Sequence, residues 1–120
     1  MTSDSGISTE RVGEHVWVMT APGERDLADA QALWDEIDRV YEMGSTVVLD
    51  LSETTFIDSQ IVGVIAHAAQ RSRQVAEHGL MVVAPPTGRP RRVLDMVAAA
   101  GFVRIVDDLQ TALDDSRLLA

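Results

Sequence analysis

The chain reads as a single α/β domain: a mixed, mostly parallel sheet of about five strands with four or so helices. Three observations predict it. Strand-like and helix-like segments alternate along most of the 120 residues, and such alternation implies parallel strands joined by right-handed helical crossovers. Thr46-Val47-Val48-Leu49-Asp50-Leu51 is an apolar run broken by one acid, as suits a central strand covered on both faces. Two strand-like segments precede the first helix, which suggests an opening hairpin and hence a mixed sheet.

The elements follow in order. Met1 to Ile7 is expected to be a disordered tail, leaving residues 8–120 as the domain. Ser8 to Val12 reads as a short edge strand, and Gly13-Glu14 as a turn. His15 to Thr20 carries the β-branched and aromatic residues of a second strand. Pro22-Gly23 then breaks the chain. Leu27, Ala30, Leu33, Trp34, Ile37, Val40 and Tyr41 recur at three- and four-residue spacing, so a helix follows. Asp26 is placed to cap it, Asp29 stands at the capping-box position, and Gly44 ends it. After the Thr46 strand and a loop, Asp58 or Ser59 starts a second helix running to about His78. Ile61, Ile65, Ala68, Ser72 and Val75 form its buried stripe, and Gly79 its stop. Leu80 to Ala84 is a strand. Pro85 to Pro90 is a loop in which Pro90 can open a third helix. Val93, Leu94, Met96 and Val97 are expected on that helix's inner face, with Gly101 closing it. Val103 to Val106 is a last strand. Asp107 or Asp108 caps a final helix with Leu109, Ala112, Leu113 and Leu118. Trp17 and Trp34 fall on faces predicted to be buried and are read as core.

Composition narrows the function. Apolar residues make up 46% and charged residues 24%, an ordinary globular balance. The absence of cysteine removes disulfides and thiolate metal sites and fits a reducing cytoplasm. Met1 to Gly6 lacks a basic region and an apolar stretch, so no signal peptide is expected. The longest apolar run, Ile61 to Ala69, is interrupted by Gly63 and His67 and falls short of the roughly 20 residues that span a bilayer. The net charge is −9 and all ten basic residues are arginine. Such a surface repels phosphate backbones and anionic lipid, so neither nucleic acid nor membrane is expected as a partner. The acidity either serves solubility or presents an acidic face to a basic partner.

No nucleotide-binding or hydrolase motif is present. His67 and His78 would lie roughly 16 Å apart on one helix, too far to share a metal, and His15 is remote from both. Asp50, Glu53 and Asp58 cluster near the end of a buried strand, as in a Mg²⁺-binding receiver domain. That reading also requires an acidic pair after the first strand of the alternating unit and a late lysine; His15 to Pro22 carries no acid and the chain has no lysine. No metal, cofactor or catalytic residue is expected.

The segment from Val47 to Ile65 carries the strongest signal. A hydrophobic strand ending in Asp50-Leu51 is followed by a short loop, then Phe56-Ile57-Asp58-Ser59, then a helix of small and aliphatic residues. Gly23-Glu24-Arg25-Asp26, Arg91 to Met96 and Gly101-Phe102 fit the same pattern. Over about residues 8–118 the chain resembles STAS domains, in particular the anti-sigma factor antagonists. The resemblance implies a non-enzymatic, cytoplasmic regulatory protein, monomeric or weakly dimeric. It would bind an anti-sigma factor that is also a serine/threonine kinase, be phosphorylated by it at Ser59 and be reset by a phosphatase. The partner surface would include Glu24, Arg25, Asp26, Asp58, Ser59, Gln60, Arg89 and Arg91, with Arg92 beside them. Other STAS domains bind nucleotides or lipids or act as scaffolds, so a small-molecule sensor is the alternative. A serine at the first turn of a helix is exposed, and free N–H groups there would suit a phosphate. Equally, Asp58 and Ser59 could serve only as helix caps. Gln60 and Ile61 depart from the family's Ser/Thr and Gly after the acceptor serine; Ile61 could turn inward as core.

Overall fold

The computed structural model describes residues 6–25, 27–74, 79–99 and 103–119. Five strands form the main sheet: β1 (Ser8–Arg11), β2 (Val16–Thr20), β4 (Thr46–Asp50), β6 (Gly79–Val83) and β7 (Arg104–Val106), in the order β1-β2-β4-β6-β7. β1 runs antiparallel to β2, and every other neighbouring pair is parallel. Between them lie the helices α1 (Leu27–Glu42), α2 (Ser59–Gln74) and α3 (Arg89–Ala99), and α4 (Leu109–Leu119) follows β7. The mixed, mostly parallel α/β architecture is therefore as expected.

Strand alternation divides the core in two. Met19, Val47, Leu49, Leu80 and Val82 face one way and pack with Leu33, Ile37, Tyr41, Ile61, Ile65 and Leu94 from the three crossover helices. Val16, Val18, Val48, Met81 and Val83 face the other way and meet Val106 and Ala112. From β2 onward the strand order moves in one direction only, so right-handed crossovers put α1, α2 and α3 on the same face. The opposite face falls to α4. Val47, Val48 and Leu49 are all 0% exposed, as a strand covered on both sides requires.

Local chemistry sets the helix ends. At the end of α1, the Ser45 amide donates to the Val40 carbonyl and the Gly44 amide to that of Tyr41. This is the Schellman pattern, and Gly44, at φ +72°, supplies its left-handed residue. Asp108 is the cap of α4, accepting from the Thr111 amide at 2.8 Å; that bond holds its carboxyl below the ordinary range.

Four expectations change. Thr54–Ile57, expected within a loop, is a strand (β5) that pairs in parallel with β3 (Gly23–Arg25) as a separate two-stranded sheet. Gly79 opens β6 rather than stopping a helix. Val93 and Met96, expected to face inward on α3, are 38% and 77% exposed, and Leu94 carries the burial with Pro90. Ile7, placed in the tail, is buried in the core beside a Gly6 at φ +74°. Asp26, Val75, His78, Gly101 and Phe102 lie outside the described residues.

Candidate functional site

In a parallel sheet the segments that leave the strands gather at the carboxyl edge. Here those are Ala21–Arg25 after β2, Leu51–Asp58 after β4 and Ala84–Gly88 after β6. The small β3–β5 sheet forms beyond that edge. The Gly23 amide donates to the Glu53 carbonyl at 2.9 Å, and the buried Thr54 hydroxyl donates to the Ala21 carbonyl. Gly23, at φ +81°, makes the required turn. β5 then delivers the chain directly into α2.

That junction is the candidate site. Asp58 Oδ1 accepts from the amides of Gln60 and Ile61, both at 3.0 Å, and the Val62 amide donates to the Asp58 carbonyl. Asp58 is thus the N-cap of α2. Ser59 is the helix's first residue, exposed, with no partner for its hydroxyl among the described residues. Two of the amides that could have faced a phosphate are already taken by Asp58, a correction to the idea that this turn offers free donors. Ile61 is 1% exposed and belongs to the core.

The other site residues separate into groups. Glu24 is exposed and sits opposite Phe56 in the β3–β5 register, and Arg25 sits opposite Ile57. Gln60 is exposed and borders a groove of about 470 Å³ between α1 and α2, with Gln31, Trp34, Gly63 and His67. A side chain at Gly63 would meet nothing within 4 Å, so the groove is open there. Trp34 is only half-buried; its ring meets His67 edge-on at 4.8 Å, and Arg71 lies 5.9 Å above it while pairing with Asp38. Sequence periodicity assigned Trp34 to the core because its helical spacing is that of the core stripe, whose edge it occupies.

Arg91 does not join the site as a free cation. Its guanidinium donates to Asp95, to Asp107 and to the Ala84 carbonyl, each at 2.8 Å. Asp107 and then Asp95 hold its pKa above the ordinary arginine value. Arg91 therefore ties α3 to the ends of β6 and β7. Arg89 and Arg92 are exposed and border a second cavity of about 390 Å³ with Phe56, Ile57 and Val93. Asp50 accepts from the Ser52 amide at 3.0 Å and from the Ser52 hydroxyl, which shapes the loop after β4. No metal-binding group of acids and histidines occurs among the described residues.

A family model described as "Mlab, STAS domain" matches residues 8–110. The chain belongs to this STAS-domain family. No curated protein matches it in sequence. Among solved structures, this STAS domain is similar to an anti-sigma factor antagonist from Mycobacterium paratuberculosis, at 25% identity and TM-score 0.77 over 98% of this chain and 99% of that one. It is also similar to the anti-sigma factor antagonist SpoIIAA in its unphosphorylated form, at 20% identity and TM-score 0.74 over 92% of this chain and 97% of that one. The phosphorylated form of SpoIIAA, described as a Bacillus cell fate determinant, gives 20% identity and TM-score 0.69 over 91% of this chain and 97% of that one. The SpoIIAA likeness concerns the fold. Among the described residues of this STAS domain, no helix is long and apolar enough to cross a membrane.

Proposed function

We propose that residues 8–120 act as an anti-sigma factor antagonist, a cytoplasmic regulatory module without enzymatic activity. It binds an anti-sigma factor that is also a serine kinase, and phosphorylation of Ser59 releases it. A phosphatase restores the binding form. The observation that carries this reading is Ser59 itself: an exposed hydroxyl on the first turn of α2 with no partner among the described residues, held beside a capping acid, in a chain whose fold is shared with anti-sigma factor antagonists.

The geometry supports a switch made of charge alone. Phosphate adds about −1.5 to −2 charge at neutral pH. Two of the nearest helix amides are committed to Asp58, so the added charge projects towards a partner. Glu24, Gln60 and the α1–α2 groove lie on the elements that flank Ser59 and supply the rest of the contact. A nucleotide-sensor or scaffold role would draw on the Gln60-Ile61 departure and on the arginines from Arg89 to Arg92. It is the less supported reading, because Ile61 is ordinary core and Arg91 is spent on Asp95, Asp107 and Ala84.

The test is direct. Incubated with its source organism's kinase-type anti-sigma factors and ATP, the protein should gain one phosphate at Ser59 by mass spectrometry, and Ser59→Ala should gain none. Phosphate at another residue, or no complex with any such kinase, would refute the reading.

A further inference from the structure

Among its described residues α3 carries two stripes, one buried and one exposed. Pro90 and Leu94 point into the domain. Arg89, Arg92, Val93 and Met96 are exposed, and their i, i+3, i+4, i+7 spacing makes a second continuous face about 10 Å long. Phe56 of β5, 43% exposed, borders the same cavity as Arg89, Arg92 and Val93. Three of the five large hydrophobic side chains recorded as exposed among the described residues are Phe56, Val93 and Met96.

The charge at this face is as unusual as its apolarity. Arg39, Arg71, Arg91 and Arg104 are each paired with an acid, and Arg11 donates to two backbone carbonyls. Among the arginines whose side chains are described, Arg89 and Arg92 make neither kind of bond. A chain with 19 acids and a net charge of −9 has left two guanidinium groups unneutralised beside an exposed aromatic ring.

We infer that the α3–β5 face is a docking surface for an acidic amphipathic helix, with apolar residues set against Phe56, Val93 and Met96 and carboxylates against Arg89 and Arg92. The occupant's sign follows from the two free cations. A basic helix would bring like charges together there, and it would leave the guanidinium groups, which suit bidentate carboxylate recognition, unmatched. Its length follows from the stripe, which matches two turns of a partner helix. Recognition of this type reads i, i+3, i+4, i+7 anchors, with flanking charges setting specificity. The inference requires no phosphate on Ser59.

The experiment titrates isotopically labelled protein with a helical Leu/Glu peptide, and separately with the same peptide carrying Lys for Glu, following amide shifts. Saturable shifts at Phe56 and residues 89–96, seen with the acidic peptide, at least tenfold weaker with the basic one and weakened tenfold or more by Arg89→Glu/Arg92→Glu, are the expected result. Because both arginines are exposed the double variant should fold, which its own amide spectrum reports; Met96→Glu is an independent variant that must also weaken binding. No saturable shift at this face, equal affinity for both peptides, or unchanged affinity in the variants would overturn the inference. So would saturation by vesicles of anionic phospholipid, or by unlabelled protein, in place of the peptide.

Discussion

A carboxylate placed at position 59 is acted on by two forces of opposite sign, and their near-cancellation is a measurable consequence of the site. Position 59 is the first residue of α2, where the helix N-terminus favours an anion by about 0.3–1 kcal/mol. The neighbouring residue is the capping Asp58, and two like charges about 5 Å apart in water repel by about 0.8 kcal/mol. A Debye length of about 8 Å at physiological salt reduces that to about 0.4 kcal/mol. Ser59→Glu should therefore change the unfolding free energy by no more than about 0.6 kcal/mol. Asp58→Asn keeps a good cap while removing the charge. In that background Ser59→Glu should stabilise by about 0.3–1 kcal/mol, the helix contribution alone. Urea unfolding of the four proteins gives the coupling as a double-mutant cycle, and the coupling should shrink at high salt. A loss of about 2 kcal/mol or more in Ser59→Glu would refute the reasoning, since it would mean that Ser59 is packed or bonded rather than free. The same arithmetic scaled to a phosphate gives about 1.2–1.6 kcal/mol of repulsion before screening. That is small beside a typical domain stability of about 5–15 kcal/mol, so a phosphate at Ser59 acts on partners and leaves the fold standing.

Three further outcomes follow from other contacts. The Tyr41 hydroxyl donates to the buried Ala68 carbonyl at 2.9 Å, so Tyr41→Phe should cost about 1 kcal/mol in denaturant unfolding. Burial pushes this phenol above its ordinary value of 10.0. The folded state then holds its proton where the unfolded chain releases it, so stability should fall as pH rises past about 10, and Tyr41→Phe should lack that decline. Tyr41 is the sole tyrosine, so the rise in absorbance near 295 nm on tyrosinate formation, above the background of the two tryptophans, reports its ionisation. Gly63→Ala meets no atom within 4 Å and should raise helix stability by about 0.5–1 kcal/mol, while an added methyl in the α1–α2 groove should weaken partner binding in a pull-down or calorimetric assay. Arg91→Ala removes three hydrogen bonds and should lower stability by about 1–2 kcal/mol, readable as a shift in urea midpoint with no change in slope.

Much of this architecture is legible in the residue pattern. The Val47 strand, the stripe from Leu33 to Tyr41, the Asp58 cap and the Asp108 cap all follow from period, apolar run and capping chemistry, which are local signals. The β3–β5 pair is not legible, because Gly23–Arg25 is three residues long and its partner is about thirty residues away; only the tertiary approach of the two segments makes them strands. Val93 and Met96 mislead for a related reason. Apolar character predicts burial, but among the described side chains of α3 the full burial falls on Pro90 and Leu94. At the candidate site the capping chemistry of Asp58 makes the position of Ser59 at the start of α2 legible. The residue pattern cannot reveal that Arg91 is consumed by Asp95 and Asp107 while Arg89 and Arg92 stay free, because that depends on which acids the fold brings within about 3 Å.

The separate two-stranded sheet has a mechanical consequence. Phe56 and Glu24 sit on it, and Ser59 follows it after two residues, whereas the load of the fold rests on the five-stranded ladder beneath. The Gly23–Glu53 and Thr54–Ala21 hydrogen bonds hold the small sheet's own two strands together, and buried Ile57 seats it on the core. A partner that engages Phe56 and Glu24 meets exposed side chains, whereas the Val47–Leu49 keel is fully buried. The surface that meets other proteins can therefore be retuned, residue by residue, without renegotiating the core.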